Sequence, residues 1–173
     1  MFGESVMQEN GIYFAKNEYY SLIRQLGGIW NDTKDRPIVC LIEDKKNNGL
    51  YWAIPMGAWE HRDNLAKQRI EDYLNKPDSE IQSCFYHLGK TTQMSIFFIS
   101  DAVPIIEKYI AREYIGKSGK IHIIKKPELI EELNRKLQRI LYFESKNPNY
   151  FRQHITDMKN KLIQEIKPEL VTK

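Results

Sequence analysis

The chain has 173 residues, 42% hydrophobic and 28% charged, the mix of a globular protein with enough apolar side chains for one core. Lysine and arginine number 26 against 23 aspartates and glutamates, a formal charge of +3 that permits a polyanionic partner without demanding one. Collagen-like, coiled-coil and low-complexity chains are excluded, and no run approaches the roughly 18 apolar residues of a membrane span.

The opening MFGESVMQENG lacks the basic and apolar regions of a leader, so the expected location is the cytoplasm, with no membrane partner. Asn31-Asp32-Thr33 matches a glycosylation acceptor but has no secretion signal to make it usable. In chain order, Gly11 to Ala15 reads as a strand, and Asn17 can cap a helix carrying Tyr19, Tyr20, Leu22, Ile23 and Leu26, ended by Gly27 and Gly28. A polar loop leads to the strand Pro37–Ile42, the turn Asp44–Gly49 and the strand Leu50–Met56, a hairpin by its turn chemistry. Gly57–Arg62 is a loop, and Asp63 caps a helix with Leu65, Ala66, Ile70, Tyr73 and Leu74 on one side, closed by Pro77.

Strands are expected over Gln82–Leu88 and Met94–Ile99, joined by Gly89-Lys90-Thr91-Thr92. Ser100 or Asp101 then caps a helix with Pro104 in its first turn and Val103, Ile106, Tyr109 and Ile110 at helical spacing. After a last short strand, Ile121–Ile124, two apolar stripes run Leu129, Leu133, Leu137, Ile140, Leu141 and Phe151, Ile155, Met158, Leu162, Ile166. Asn147-Pro148-Asn149 breaks them into an αα-hairpin. The expected architecture is one α+β domain over 1–173, with antiparallel strands in the first 125 residues or so and a helical pair packed outside.

Cys40 and Cys84 lie in apolar runs and read as small buried hydrophobes. The four histidines, His61, His87, His122 and His154, show neither i, i+4 pairing nor HExxH, so neither metal nor other cofactor is expected. Gly89-Lys90-Thr91 is no P-loop, because Cys84 and a strand pattern stand where its first glycine should be. Trp59 to Asp63, WEHRD, is different. It follows a strong strand and sets a titratable imidazole, His61, beside a permanent cation, Arg62.

That pair suits metal-free phosphodiester cleavage, in which a proton leaves the ribose 2′-hydroxyl, another reaches the departing 5′ oxygen, and charge grows on the phosphate. His61 could move a proton, Arg62 could hold the phosphate, and Lys90 is a third catalytic candidate. A solvated loop that merely precedes a helix cap is the plainer alternative. For RNA binding the candidates are Arg36, Thr91, Thr92, Lys117, Lys120, Lys125 and Lys126, and Arg36, Arg62 and Lys90 are expected to share one groove with some of the four lysines. Tyr19 and Tyr20 are candidate stacking residues, should either face outward.

The succession GIYFAKNEYYSLI, RPIVCLIED, LYWAIPMGAWEH, SIFFISDAVPIIEKYI and LNRKLQRILYF resembles the endoribonuclease toxins of type III toxin–antitoxin systems, the ToxN, AbiQ, TenpN and CptN proteins. It spans Gly11 to Ile166, most specifically at Ala53-Ile54-Pro55 and from Phe98 to Ile106. The resemblance implies a compact, strongly twisted antiparallel sheet of the SH3-like barrel type, partly covered by helices. It implies a metal-independent ribonuclease that leaves a 2′,3′-cyclic phosphate and a 5′-hydroxyl and serves in phage defence. It also implies inhibition by a repeat antitoxin RNA, which the toxin processes and which joins protomers into a closed assembly.

In the ToxN branch the loop after the equivalent of Pro55 carries Thr-Ser-Pro-Lys, whereas this chain has Met56 to Glu60 and then His61 and Arg62, closer to the CptN or TenpN branches. Arg36 matches the place of a functional lysine in that branch, and Tyr19 or Tyr20 lies near a functional tyrosine. The alternatives from other classes are a non-catalytic RNA-binding module, in which the same basic loop only holds phosphates, and a protein-interaction domain that uses the outer helices.

Overall fold

The computed structural model of the chain describes residues 7–30, 36–116 and 119–167. Lys117 and the Asn31-Asp32-Thr33 acceptor lie outside the described residues. The fold is mixed α+β: a twisted antiparallel sheet with helices inserted between its strands and a helical pair at the C-terminal end. Its strands are β1 (Gly11–Ala15), β2 (Ile38–Glu43), β3 (Tyr51–Ala58), β4 (Tyr86–Lys90), β5 (Met94–Phe98), β6 (Val103–Ile105) and β7 (Ile110–Glu113). They pair in the order β4-β5-β3-β2-β1-β7, with β6 also on β3.

The β2–β3 hairpin forms as expected, because Asp44–Gly49 can turn: Asp44 N donates to Leu50 O at 2.7 Å, and Gly49 takes a left-handed φ of 89°. The β2–β3 register slips between Cys40 and Ile42, leaving Leu41 as a bulge, and a bulge sharpens strand twist. β3 is the organising strand. One side pairs with β2, while the other takes β6 along Tyr51–Ala53 and β5 along Met56–Ala58. The change of partner falls at Ile54-Pro55, where a proline without an N–H costs the ladder least.

Opposite that change, the chain between β5 and β6 bulges out as a 3₁₀ turn, Ile99–Asp101. The helix expected from Ser100 onward is therefore corrected: Val103–Ile105 is strand, Glu107–Tyr109 a 3₁₀ turn and Ile110–Glu113 strand again. Apolar runs rich in β-branched residues satisfy both patterns, and here the open edges of β3 and β1 win. The Pro104 carbonyl is also taken, accepting the Tyr19 hydroxyl.

Helix α1 (Asn17–Gln25) starts after Lys16 with no side-chain cap, so the expected Asn17 cap is absent. Asp63 does cap α2 (Asn64–Leu74), its carboxylate accepting from Ala66 N at 2.8 Å. Ile70 alone of that helix is buried, and Leu65 is 81% exposed rather than on the packed face. Ile81–Cys84 is a 3₁₀ turn leading into β4, and Ile121–Ile124 makes only isolated bridges, Ile121 to Ile115 and Ile123 to Gly11.

The last two helices are α3 (Pro127–Lys146) and α4 (Ile155–Ile166), with Phe151 in the connection before α4. Their junction is tied by the buried Glu144, whose Oε2 accepts from Asn149 N, Thr156 N and Thr156 Oγ1. Leu129, Leu133, Leu137, Ile140, Ile155, Met158 and Leu162 join Tyr13, Ile23, Val39, Ile54 and Phe97 in one core. Cys40 and Cys84 are free and buried, as read from their apolar runs. Among the described residues no helix is long and apolar enough to cross a membrane.

Candidate nucleic-acid interface

The switch point of β3 is where charge collects. Arg36 precedes β2 and stands by the end of β3, since the neighbouring Pro37 O accepts from Met56 N at 3.0 Å. Arg62 follows the 3₁₀ turn Trp59–His61 and folds back, its Nε donating to Ala58 O at 3.3 Å. Both guanidiniums lie on the ring of Phe98, at 4.7 Å for Arg36 and 5.6 Å for Arg62. Gly57 makes this possible, because a Cβ there would stand 2.9 Å from Arg62 Nη2.

Two more arginines arrive from elsewhere. Arg69 and Tyr73, four apart, share a face of α2, and Arg152 comes from the α3–α4 connection. With Phe85, Tyr86, Tyr150 and Phe151 they line an open cleft of about 530 Å³, in which the one carboxylate among the described residues is Asp101 on the bulged turn. Arg152 claims it by a two-point contact, Nε to Oδ1 at 3.2 Å and Nη2 to Oδ2 at 3.0 Å. Among the described residues no carboxylate pairs with Arg36, Arg62 or Arg69. Burial, and after it the charge of Arg62, lowers the Arg36 pKa from the usual guanidinium value. Burial pushes the Tyr86 phenol up, while the neighbouring Arg69 pulls it down.

Cations crowded on an aromatic floor, one of them half-buried, are electrostatically incomplete without an anion. Such a cleft suits an anion that carries flat groups, and a phosphodiester with its bases is one chemistry of that kind.

The candidate residues divide between two places. Arg36 and Arg62 meet in the arginine cleft, whereas Lys90, Thr91, Lys125 and Lys126 meet in a separate groove of about 310 Å³ with His122, Ile123 and Ile124. The single shared groove is thus corrected. Strand β4 keeps the sites apart, since its first residue, Tyr86, lines the cleft and its last, Lys90, lines the groove, about 13 Å away at ~3.3 Å per residue. Lys120 and Thr92 are exposed and line neither, and Lys117 lies outside the described residues.

Tyr19 and Tyr20 are corrected to packing residues. Tyr19 is fully buried, which pushes its phenol well up, and the buried Tyr20 stacks on Trp30 at 5.4 Å. The apolar face of α1 needs both rings, so neither can stack a base in this conformation. His61 is exposed on the turn beside Arg62 and is absent from the cleft lining.

Sequence reasoning missed Arg69, Tyr73, Phe98, Asp101 and Arg152. Arg69 and Tyr73 were findable from their i, i+4 spacing on a helix with a secure cap; nothing local marks Arg152. Among the described residues no group of three or more His, Cys, Asp or Glu is placed to hold a metal ion. A scan against models of known protein families matches none, and a search of curated proteins returns no relative, so the cleft is read from its own geometry and from the resemblance of the sequence.

Proposed function

We propose that the protein is an endoribonuclease toxin of the type III kind, cutting RNA by attack of the ribose 2′ oxygen on the adjacent phosphorus with departure of the 5′ oxygen. The observation that supports this reading most is the arginine cleft, with Arg36 and Arg62 over the Phe98 ring, Arg69 beside them, and none of the three paired to a carboxylate among the described residues. Guanidiniums held there before substrate arrives favour the extra negative charge of the pentacoordinate phosphate. His61, one residue from Arg62, is the proposed proton carrier, reached when RNA lies across the exposed turn. Lys90 lies in the other groove and is given phosphate binding rather than catalysis.

The partner in this reading is a repeat antitoxin RNA that occupies the cleft in the cytoplasm, is cut into units there and bridges protomers into a closed assembly. The partner change along β3 and the bulge at Leu41 favour a sheet curled in the SH3-like manner.

The test is a short unstructured RNA incubated with the protein in excess EDTA, followed by analysis of product ends. Cyclic-phosphate and 5′-hydroxyl ends are expected. Loss of cutting under chelation, restored by a divalent ion, would count against the mechanism. One observation favours a second reading, a non-catalytic RNA-binding module: among the described residues no imidazole lines the cleft. RNA bound and left intact would select it.

A further inference from the structure

One exposed ring, Tyr114, stands next to the lysine groove: it meets His122, a residue of the groove lining, and itself lines the neighbouring pocket with Phe14, Arg112, Glu107 and Glu113. Tyr114 follows β7 and is 39% exposed. Its backbone is held twice, N donating to Ile12 O at 2.9 Å and O accepting from His122 N at 2.9 Å. Its ring is backed by Phe14, stacked at 5.8 Å and 28°, and meets the edge of His122 at 6.1 Å and 81°. His122 belongs to both places, since it also lines the groove with Lys90, Thr91, Lys125 and Lys126.

We propose that Tyr114 and this groove form a second RNA subsite, in which one base stacks on the Tyr114 ring and flanking phosphates lie on Lys90, Lys125 and Lys126. The inference rests on the reading of the protein as one that acts on RNA, and it adds a foothold remote from the cleft where cutting is placed. Among the described residues the groove lining holds three lysines and no carboxylate, a composition that selects an anion, while Glu107 and Glu113 line the neighbouring pocket that Tyr114 shares. An acidic peptide would satisfy the lysines but has no use for a flat, rigidly backed ring beside them. A nucleotide uses both, and a ring already held by Phe14 and His122 loses little freedom when a base covers it. The groove is open, which suits a strand passing through it. Because β4 separates the subsite from the arginine cleft, a strand in one does not fill the other.

Binding of a short 2′-O-methyl RNA, which has no free 2′-hydroxyl and so stays uncut, tests the inference by fluorescence anisotropy. Tyr114→Ala should weaken binding between about 5- and 100-fold, and Tyr114→Phe should leave it unchanged, because stacking needs the ring and not the hydroxyl. Should Tyr114→Ala fail to fold, the exposed pair Lys125→Ala and Lys126→Ala decides. Their loss should flatten the slope of log affinity against log salt by about 1.4, at roughly 0.7 per phosphate contact on a single strand. Wild-type affinity and slope in the folded variants would overturn the subsite while leaving the function reading intact, provided Arg36→Ala with Arg62→Ala still weakens binding. An acidic peptide that holds the groove as tightly as the RNA would overturn it too. No RNA binding by the wild-type protein would overturn both readings together.

Discussion

Arg62 reaches the Phe98 ring only because residue 57 has no side chain. In Gly57→Ala the new Cβ would stand 2.9 Å from Arg62 Nη2, so the guanidinium has to leave its place. The expected outcome is RNA affinity reduced several-fold, approaching that of Arg62→Ala, with a thermal midpoint close to wild type, since β3 ends one residue later; anisotropy and a melting curve measure the two effects. Arg62→Ala itself should weaken binding by about 10- to 100-fold, the range of a lost charge-assisted hydrogen bond at 1.5–3 kcal/mol, and should slow cutting as well. His61→Ala should differ. A proton carrier on an exposed turn contributes about 10²- to 10⁴-fold to cutting and little to affinity, so kinetics should fall while binding and melting stay put. Normal cutting by His61→Ala would remove it from the reaction and shift attention to Tyr86, the half-buried phenol beside Arg69 in the cleft.

Between elements, the packing of α3 over the start of β4 is what holds Tyr86 at the cleft. Lys136 of α3, 7% exposed, donates from Nζ to Tyr86 O at 2.9 Å, and burial lowers its pKa. Next to it on β4, the His87 imidazole is brought down to about 4 by burial and then by the charge of Lys136, with its Nδ1 buried and unpartnered. The consequence for stability has a definite sign. In the unfolded chain the imidazole takes a proton as pH falls through about 6.5, while the folded protein resists until about 4. Above pH 6.5 the group is neutral in both states, so stability is fully present; between 6.5 and about 4 the unfolded state binds more protons and stability falls. Urea midpoints measured across that window should drop more steeply for the wild type than for His87→Gln. Equal slopes would mean that the folded imidazole titrates normally.

Over the whole molecule, a net charge of only +3 conceals an uneven distribution. Arg36, Arg62 and Arg69 share one cleft, where the one carboxylate among the described residues, Asp101, is held by Arg152, and Lys90, Lys125 and Lys126 line a second. Elsewhere charges pair locally, as in Arg135 with Glu132 and Lys108 with Glu165. Those exposed pairs contribute little to stability and leave the field of the two clefts to dominate encounters with a polyanion. RNA affinity should therefore fall with salt along a slope of about −4 when all six cations engage, at roughly 0.7 each, and about −2 when only the arginine cleft does. Titrations at several salt concentrations separate these cases. A flat response would deny that phosphates are held at either place.

The sequence by itself determined what neighbours along the chain decide. Asp44–Gly49 turns because of its own residue types, Asp63 caps because Ala66 N is three residues away, and the leucine and isoleucine stripes of α3 and α4 are periodic within each helix. Tertiary structure decided the rest. Residues 103–113 suit helix and strand alike, and the free edges of β3 and β1 settled Val103–Ile105 and Ile110–Glu113 as strands on either side of a 3₁₀ turn. The type of Tyr19 and Tyr20 favours packing over stacking, but that neither ring faces outward is decided only when α1 is laid on the sheet. The cleft draws arginines from positions 36, 62, 69 and 152, and Lys90 is carried away from them along β4, because contact across a sheet depends on pairing and register that no local spacing encodes.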